Sequence, residues 1–304
     1  NHFLKEVTLK RWTLIIIVLG AMGIGADVVG ISPNPLPAVK GGMQMWPFVL
    51  LFAQLLFNPD LKAKHHFIGW PILILWVYWV FFTNTLRTKG LWVPALFAMG
   101  ILLCVRSVRW FLATGALGAL MIVSTGTLGR IIANETASSY RPLIWLDVIR
   151  MTSKNWLLGL GPANYMYYWP SLGLDSEALQ EALRRQPWMA ARWATYITVP
   201  SHNMFVDIFA QSGLVGLLFF LAFLVVALRF AWHLARRLQP GFLQAHAYAV
   251  FCGFASLSIG SFFFADWLLP FVYNISIRGF QHSVYSWLLL GTLVSIDYFL
   301  IKES

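Results

Sequence analysis

The sequence predicts an all-α polytopic membrane protein, with about eight transmembrane helices and one large loop outside the cytoplasm. Three observations predict it. Of the 304 residues, 59 % are hydrophobic and 11 % charged, with a mean hydropathy of +0.68, whereas a soluble domain carries roughly 25 % charged residues. Apolar runs recur along the chain at the length a bilayer requires, about 18 residues or more; soluble α/β chains have apolar runs of strand length only. One long polar interruption, from about Thr127 to Gly216, holds six of the twelve acidic residues and seven of the 22 basic ones.

The expected spans, in order, are Trp12–Gly30, Met43–Phe57, Phe67–Thr83, Leu91–Val105, Trp110–Thr125, Met204–Ala231, Gln244–Leu269 and Gln281–Ile301. The chain thus divides into helices 1–5 (1–126), the loop (127–203) and helices 6–8 (204–304). Several spans are short for a hydrocarbon core about 30 Å thick, so flanking tryptophans and snorkelling arginines are expected to complete them. Trp12, Trp46, Trp70, Trp92, Trp110, Trp232 and Trp267 lie near span ends, where an amphipathic indole prefers to sit.

Placing the N-terminus inside puts Lys5, Lys10, Arg11, Lys62, Lys64, Arg106, Arg109, Arg229, Arg236, Arg237 and Lys302 on the cytoplasmic side. Only Lys40, Arg87, Lys89 and Arg278 then fall in short outer loops. Eleven against four favours this orientation and places the long loop outside. Arg87 and Lys89 oppose the rule; they read either as interfacial snorkelling or as the holders of an anionic substrate.

The formal net charge of +10 is spread over flanks that attract anionic membrane lipids rather than concentrated in a soluble basic module, which excludes nucleic acid as a partner. Cys104 and Cys252 fall inside apolar runs and read as small buried hydrophobes, not as a disulfide. The chain begins at Asn1 in a basic stretch, and further helices are expected upstream.

Within the loop, Ser138-Ser139-Tyr140-Arg141-Pro142 reads as a helix start, with a serine cap and proline in the first turn. The helix is expected to run to about Asn155. Ile144, Val148 and Met151 form its apolar face, Asp147, Arg150 and Lys154 lie off it, and Gly159-Leu160-Gly161-Pro162 is its stop. A second helix is expected over about 176–186.

Ser201-His202-Asn203 then opens the sixth span. With Ser201 as cap, His202 would occupy the first turn, where the helix dipole disfavours imidazolium and leaves a ring able to accept a proton. Asn203, Asp207 and Gln211 recur every four residues as a polar face, and Gly213 and Gly216 permit close helix contact. A surface histidine and packing glue are the plain alternatives. No metal is expected, because no Cys, His or carboxylate set has ligand spacing. No cofactor is expected either, and there is no P-loop or Gly-x-Ser-x-Gly elbow. Any phosphate would have to be neutralised by arginines, whose planar fork of donors suits it.

Three segments resemble the shared domain of bacterial O-antigen ligases and O-antigen polymerases. They are Thr83–Gly90 leading into a span; Arg141-Pro-Leu-Ile-Trp145 followed by Gly159-Leu-Gly-Pro-Ala-Asn164-Tyr165; and Ser201-His202-Asn203 followed by Gln211-Ser-Gly213-Leu-Val-Gly216-Leu. Gly30-Ile-Ser-Pro-Asn34 resembles a further family turn. Leu86 stands where many members have serine.

The resemblance implies a membrane-embedded glycosyltransferase of GT-C-like architecture, metal-independent, in the bacterial plasma (inner) membrane with its site on the extracytoplasmic face. Its donor would be a polyprenyl-diphosphate-linked glycan and its acceptor a glycolipid or glycan. By position, Arg87 and Arg141 would bind diphosphate and His202 would act as base. Lys89, Asn164, Asn203 and Asp207 would bind or orient substrate. Within the family, the alternatives are a ligase, a polymerase and a protein O-oligosaccharyltransferase. From another class, a flippase for lipid-linked glycans would bind the same anion; it would be marked by discontinuous helices, and the sequence reading places none.

Overall fold

The computed structural model describes residues 6–28, 42–82, 89–124, 141–162, 184, 201, 203–262, 268–269, 271–272, 277–278 and 280–303. Its helices are α1 (Glu6–Val28), α2 (Gly42–Phe57), α3 (Ala63–Phe82), α4 (Lys89–Arg106), α5 (Val108–Ser124), α6 (Arg141–Thr152), α7 (Met204–Arg237), α8 (Phe242–Gly260) and α9 (Phe280–Glu303). All but α6 coincide with an expected span. Among the described residues, Met204–Arg237, Phe242–Gly260 and Ser283–Ile301 are long and apolar enough to cross a membrane, and Met45–Phe57, Val93–Arg106 and Val108–Leu120 are shorter apolar helices. This is a largely helical membrane protein. A two-residue antiparallel ladder, β1 (Phe271–Val272) with β2 (Ile277–Arg278), pairs Phe271 with Arg278 and Val272 with Ile277. It falls where the sequence predicts a plain outer loop.

The chain forms two compact units. The first comprises Asn1–Met121, Val226–Gly260 and Gln281–Ser304; the second comprises Ile122–Val225 and Ser261–Phe280. In the first, α2 is the centre. Met45, Trp46, Phe48, Val49, Leu50, Phe52, Ala53 and Leu55 are all buried, and a helix apolar all round belongs inside. It packs on α1, α3, α4 and α8. Phe48 stacks on Trp76 with centroids 4.5 Å apart. Trp46, expected at the interface, is instead 1 % exposed and donates its indole N–H to Ser286 Oγ at 3.3 Å. It fits because Gly253 opposite has no side chain: a Cβ there would overlap the indole.

Several polar groups inside this unit bond from helix to helix, whereas Trp76 Nε1 and His246 Nδ1 are buried with no hydrogen-bond partner among the described residues. Ser256 Oγ donates to the Pro94 carbonyl at 2.6 Å, Gln54 Nε2 to the Phe242 carbonyl at 3.1 Å, and His246 Nε2 meets Thr292 Oγ1 at 2.8 Å. In hydrocarbon an unmade bond costs more than in water. The other faces stay apolar and open: Phe67, Ile74 and Leu75 on α3, and Leu112, Leu117 and Leu120 on α5, are exposed as lipid-facing residues would be. Cys252 is buried, whereas Cys104, expected to be buried too, is exposed; both are free thiols.

One end of this unit gathers cations over aromatics. Lys10 lies 5.6 Å from the Phe242 ring, Arg106 5.8 Å from Phe57 and Arg236 5.6 Å from Trp232. Arg237 pairs with Asp297 at 3.3 Å. All four cations belong to the segments that the charge asymmetry assigns to the inner side.

Candidate functional site

The second unit is built around an interruption in α7. Gly213 adopts φ 63°, ψ −164°, a combination essentially reserved for glycine. The turn that would link Leu214 to Ala210 and Val215 to Gln211 therefore opens. The segment Trp156–Gly161 fills the gap with its backbone. Leu160 N–H donates to the Ala210 carbonyl at 2.8 Å and Gly161 N–H to the Gln211 carbonyl at 3.0 Å. Leu214 N–H donates to the Trp156 carbonyl at 2.8 Å and Val215 N–H to the Leu157 carbonyl at 3.2 Å. Two missing helical bonds are replaced by four bonds to another segment, so no backbone group at the break is stranded.

Glycine is required on both sides. Gly159 (φ 74°) ends the helical stretch by donating to the Asn155 carbonyl at 2.7 Å, a left-handed cap at the stop expected from the sequence. A Cβ at Gly159 would meet the backbone of Gln211, Ser212 and Gly213, and a Cβ at Gly213 would meet that of Leu157 and Leu158. The Gly-Leu-Gly and Gln-Ser-Gly motifs are thus two halves of one interlock. The close contact expected between helices at Gly213 is instead a contact between a helix and a loop backbone. The break is also a discontinuous helix that the sequence reading does not place.

N-terminal to the break, α7 begins at Met204 and its cap is Asn203, not Ser201. Asn203 Oδ1 accepts the N–H groups of Phe205 at 3.0 Å and Val206 at 3.2 Å, the ordinary N-cap geometry. Ser201 stands too far back to do this. Its Oγ accepts the Asn203 N–H at 3.1 Å and donates to the Asn203 carbonyl at 2.9 Å. Ser201 N–H donates to Asp207 Oδ1 at 3.1 Å, and the Ser201 carbonyl accepts the indole N–H of Trp145 at 2.8 Å. Ser201, Asn203 and Asp207 are 0 %, 4 % and 1 % exposed. Met204 N–H reaches the Ser261 carbonyl at 2.8 Å, and Phe205 stacks on Phe262 at 4.3 Å. The expected polar face of Asn203, Asp207 and Gln211 is therefore no open stripe: one residue caps, one holds the chain before the cap, and the third gives its carbonyl to the interlock.

Trp145 comes from α6, whose first residue is Arg141, one helical turn earlier, with Pro142 in the first turn as expected. Ile144, Val148 and Thr152 are fully buried, and Asp147, expected off the apolar face, is buried with them at 4 % exposure. Arg150, exposed, lies 3.7 Å from its carboxylate, and Thr152 Oγ1 bonds back to the Val148 carbonyl at 2.8 Å. The buried face is thus 144, 147, 148 and 152 rather than 144, 148 and 151.

Of the expected site residues, Asn203 and Asp207 are described in full. Arg141 is placed as the first residue of α6 and Lys89 as the first residue of α4, with their side chains outside the description. Arg87, Asn164 and His202 lie outside the described residues, as does the expected helix over 176–186, apart from Arg184. Among the described residues no three His, Cys, Asp or Glu side chains converge as metal ligands. The sequence reading missed Trp145 and the interlock. The available signals were the glycines at 159 and 213, in the Gly-Leu-Gly and Gln-Ser-Gly motifs.

The family model of the O-antigen ligase matches residues 64–221, more than half of the chain. It begins in α3 and closes just beyond the α7 interruption. The chain belongs to the O-antigen ligase family. No curated protein and no solved structure matches it. The match includes residues 83–90, α6, the interlock and the Ser201–Asn203 segment; residues 30–34 lie outside it. Membership carries glycosyl transfer of the ligase or polymerase type at the level of the family.

Proposed function

We propose that this O-antigen ligase family member moves a glycan from a polyprenyl-diphosphate carrier to an acceptor hydroxyl on the extracytoplasmic face of the bacterial plasma membrane. The observation that carries the reading is the Trp145–Ser201 hydrogen bond. It ties the helix headed by Arg141 to the segment around position 202, which supports reading the two residues as parts of one site. In this reading Arg87 and Arg141 neutralise the diphosphate, Lys89 and Asn164 contact substrate, and Asn203 and Asp207 act as orienting residues. The acceptor oxygen attacks the anomeric carbon while the bond to the diphosphate oxygen breaks. The electron pair leaves with the polyprenyl diphosphate, the hydroxyl proton passes to His202, and the anomeric centre inverts. Preorganised cations stabilise the departing charge, and proton transfer to a placed base typically contributes about 10²–10⁴-fold. Eight spans with both termini inside and the 127–203 loop outside complete the reading; the cation-rich end of the first unit supports it.

The interruption in α7 favours a second reading, transport of lipid-linked glycans, because broken helices often hold ions at their half-helix ends. Here the carbonyls of Ala210 and Gln211 and the N–H groups of Leu214 and Val215 are bonded to the 156–161 backbone, which supports the enzyme. The test incubates the protein in vesicles with a lipid-linked glycan and glycolipid, glycan or protein acceptors, with and without excess chelator. The expected result is release of polyprenyl diphosphate and extension of one acceptor class, unchanged by chelator. Activity lost in chelator and restored by magnesium or manganese would refute metal independence. Movement of the glycan across the bilayer with no acceptor extended would favour transport.

A further inference from the structure

We propose that Trp145 and Asp207 are positioning residues that clamp Ser201 from two sides and thereby fix His202; the inference rests on the reading of His202 as the site's base. Every backbone and side-chain polar group of Ser201 is engaged. The amide donates to Asp207 Oδ1 at 3.1 Å, the carbonyl accepts the Trp145 indole N–H at 2.8 Å, and the hydroxyl is shared with Asn203 at 2.9 and 3.1 Å. Asn203 is fixed in turn as the cap of α7. The residues on both sides of position 202 are therefore anchored, and the Asn203 carbonyl also accepts the first helical bond of α7, from the Asp207 N–H at 3.0 Å.

The two arms of the clamp differ in kind. Asp207 sits on the first turn of the helix that Asn203 caps, so it fixes the segment relative to α7. Trp145 belongs to α6, so it fixes the same segment relative to the helix that begins with Arg141. Both arms act on backbone groups: Asp207 accepts the Ser201 amide, and Trp145 donates to the Ser201 carbonyl. An indole is suited to the other arm: a rigid donor on a large apolar body can reach a backbone carbonyl from a half-buried site without importing a charge. Small displacements of a catalytic group cost orders of magnitude in rate, so the clamp is read in turnover rather than in donor affinity.

The experiment measures kcat and donor KM for Trp145→Phe, Asp207→Asn, Asp207→Leu and, in parallel, His202→Ala, with the melting temperature of each purified protein. Trp145→Phe keeps the ring and removes the N–H; kcat is expected to fall about tenfold or more, with KM and melting temperature near wild type. Asp207→Asn keeps an acceptor oxygen for the Ser201 amide and is expected to lose less turnover than Asp207→Leu. Wild-type kcat in Trp145→Phe, or equal losses in Asp207→Asn and Asp207→Leu, would overturn the clamp while inactive His202→Ala left the base reading intact. A fall in kcat accompanied by a raised KM and a lowered melting temperature would assign Trp145 to the fold alone, and would likewise overturn the clamp. Wild-type turnover in His202→Ala would instead remove the base reading on which the clamp depends.

Discussion

The two units are held by different kinds of interaction. In the first, large side chains fill one another's gaps: Trp46 lies against Gly253, Phe48 on Trp76, and α2 is buried almost all round. In the second, what is described is held chiefly by the main chain: four backbone bonds join Trp156–Gly161 to the break in α7, and Ser201 is gripped by its amide and carbonyl. The first arrangement forms a scaffold that many apolar sequences could satisfy. The second fixes particular atoms in place, and it lies in the unit that carries Arg141 and His202. Side-chain packing tolerates compensation; a backbone interlock does not.

That contrast is sharpest at two glycines. At Gly213 the backbone lies in a region that other residues avoid, and a Cβ would meet the main chain of Leu157 and Leu158, which cannot rotate away. Gly213→Ala is expected to cost about 3 kcal/mol, at the upper end for strained backbone, with no side-chain substitution restoring it. Thermal unfolding in detergent checks this; a variant with the wild-type melting temperature would remove the interlock from the account. Gly253→Ala also creates an overlap, but with the Trp46 indole. Overpacking of that kind typically costs about 1–3 kcal/mol. The double variant Gly253→Ala with Trp46→Phe should recover part of that loss, and absence of any recovery would break the proposed distinction. The smallest effect concerns the cap. Asn203→Ala removes the acceptor of two N–H groups and should lower stability by about 1 kcal/mol, while Asn203→Asp should stay near wild type.

The same contrast explains what could be read from the sequence. The apolar runs announce α1–α5 and α7–α9 because a bilayer demands length and hydropathy, which a chain displays residue by residue. Arg141-Pro142 announces the start of α6 because proline fits a first turn. Trp46 reads as interfacial in the sequence because its burial depends on Gly253, 207 positions away, a pairing that no local pattern shows. The apolar residues at 144, 148 and 151 suggest a face that leaves Asp147 outside, and the burial at 144, 147, 148 and 152 rotates that face. Ser201 and Asn203 are both competent caps, and only the position at which α7 begins decides between them. The interlock left almost no trace, since backbone groups are common to every residue and only the glycines at 159 and 213 betray it.

We propose that the segment anchored by Trp145, Asn203 and Asp207 holds a base at position 202. The most direct measurement is the rate at which wild-type, His202→Ala and His202→Gln proteins release polyprenyl diphosphate from a lipid-linked glycan in the presence of acceptor, with donor binding measured alongside. On this reading both variants bind donor normally and lose about 10²-fold or more of the rate, the effect of removing a general base. Wild-type release by His202→Ala would contradict it.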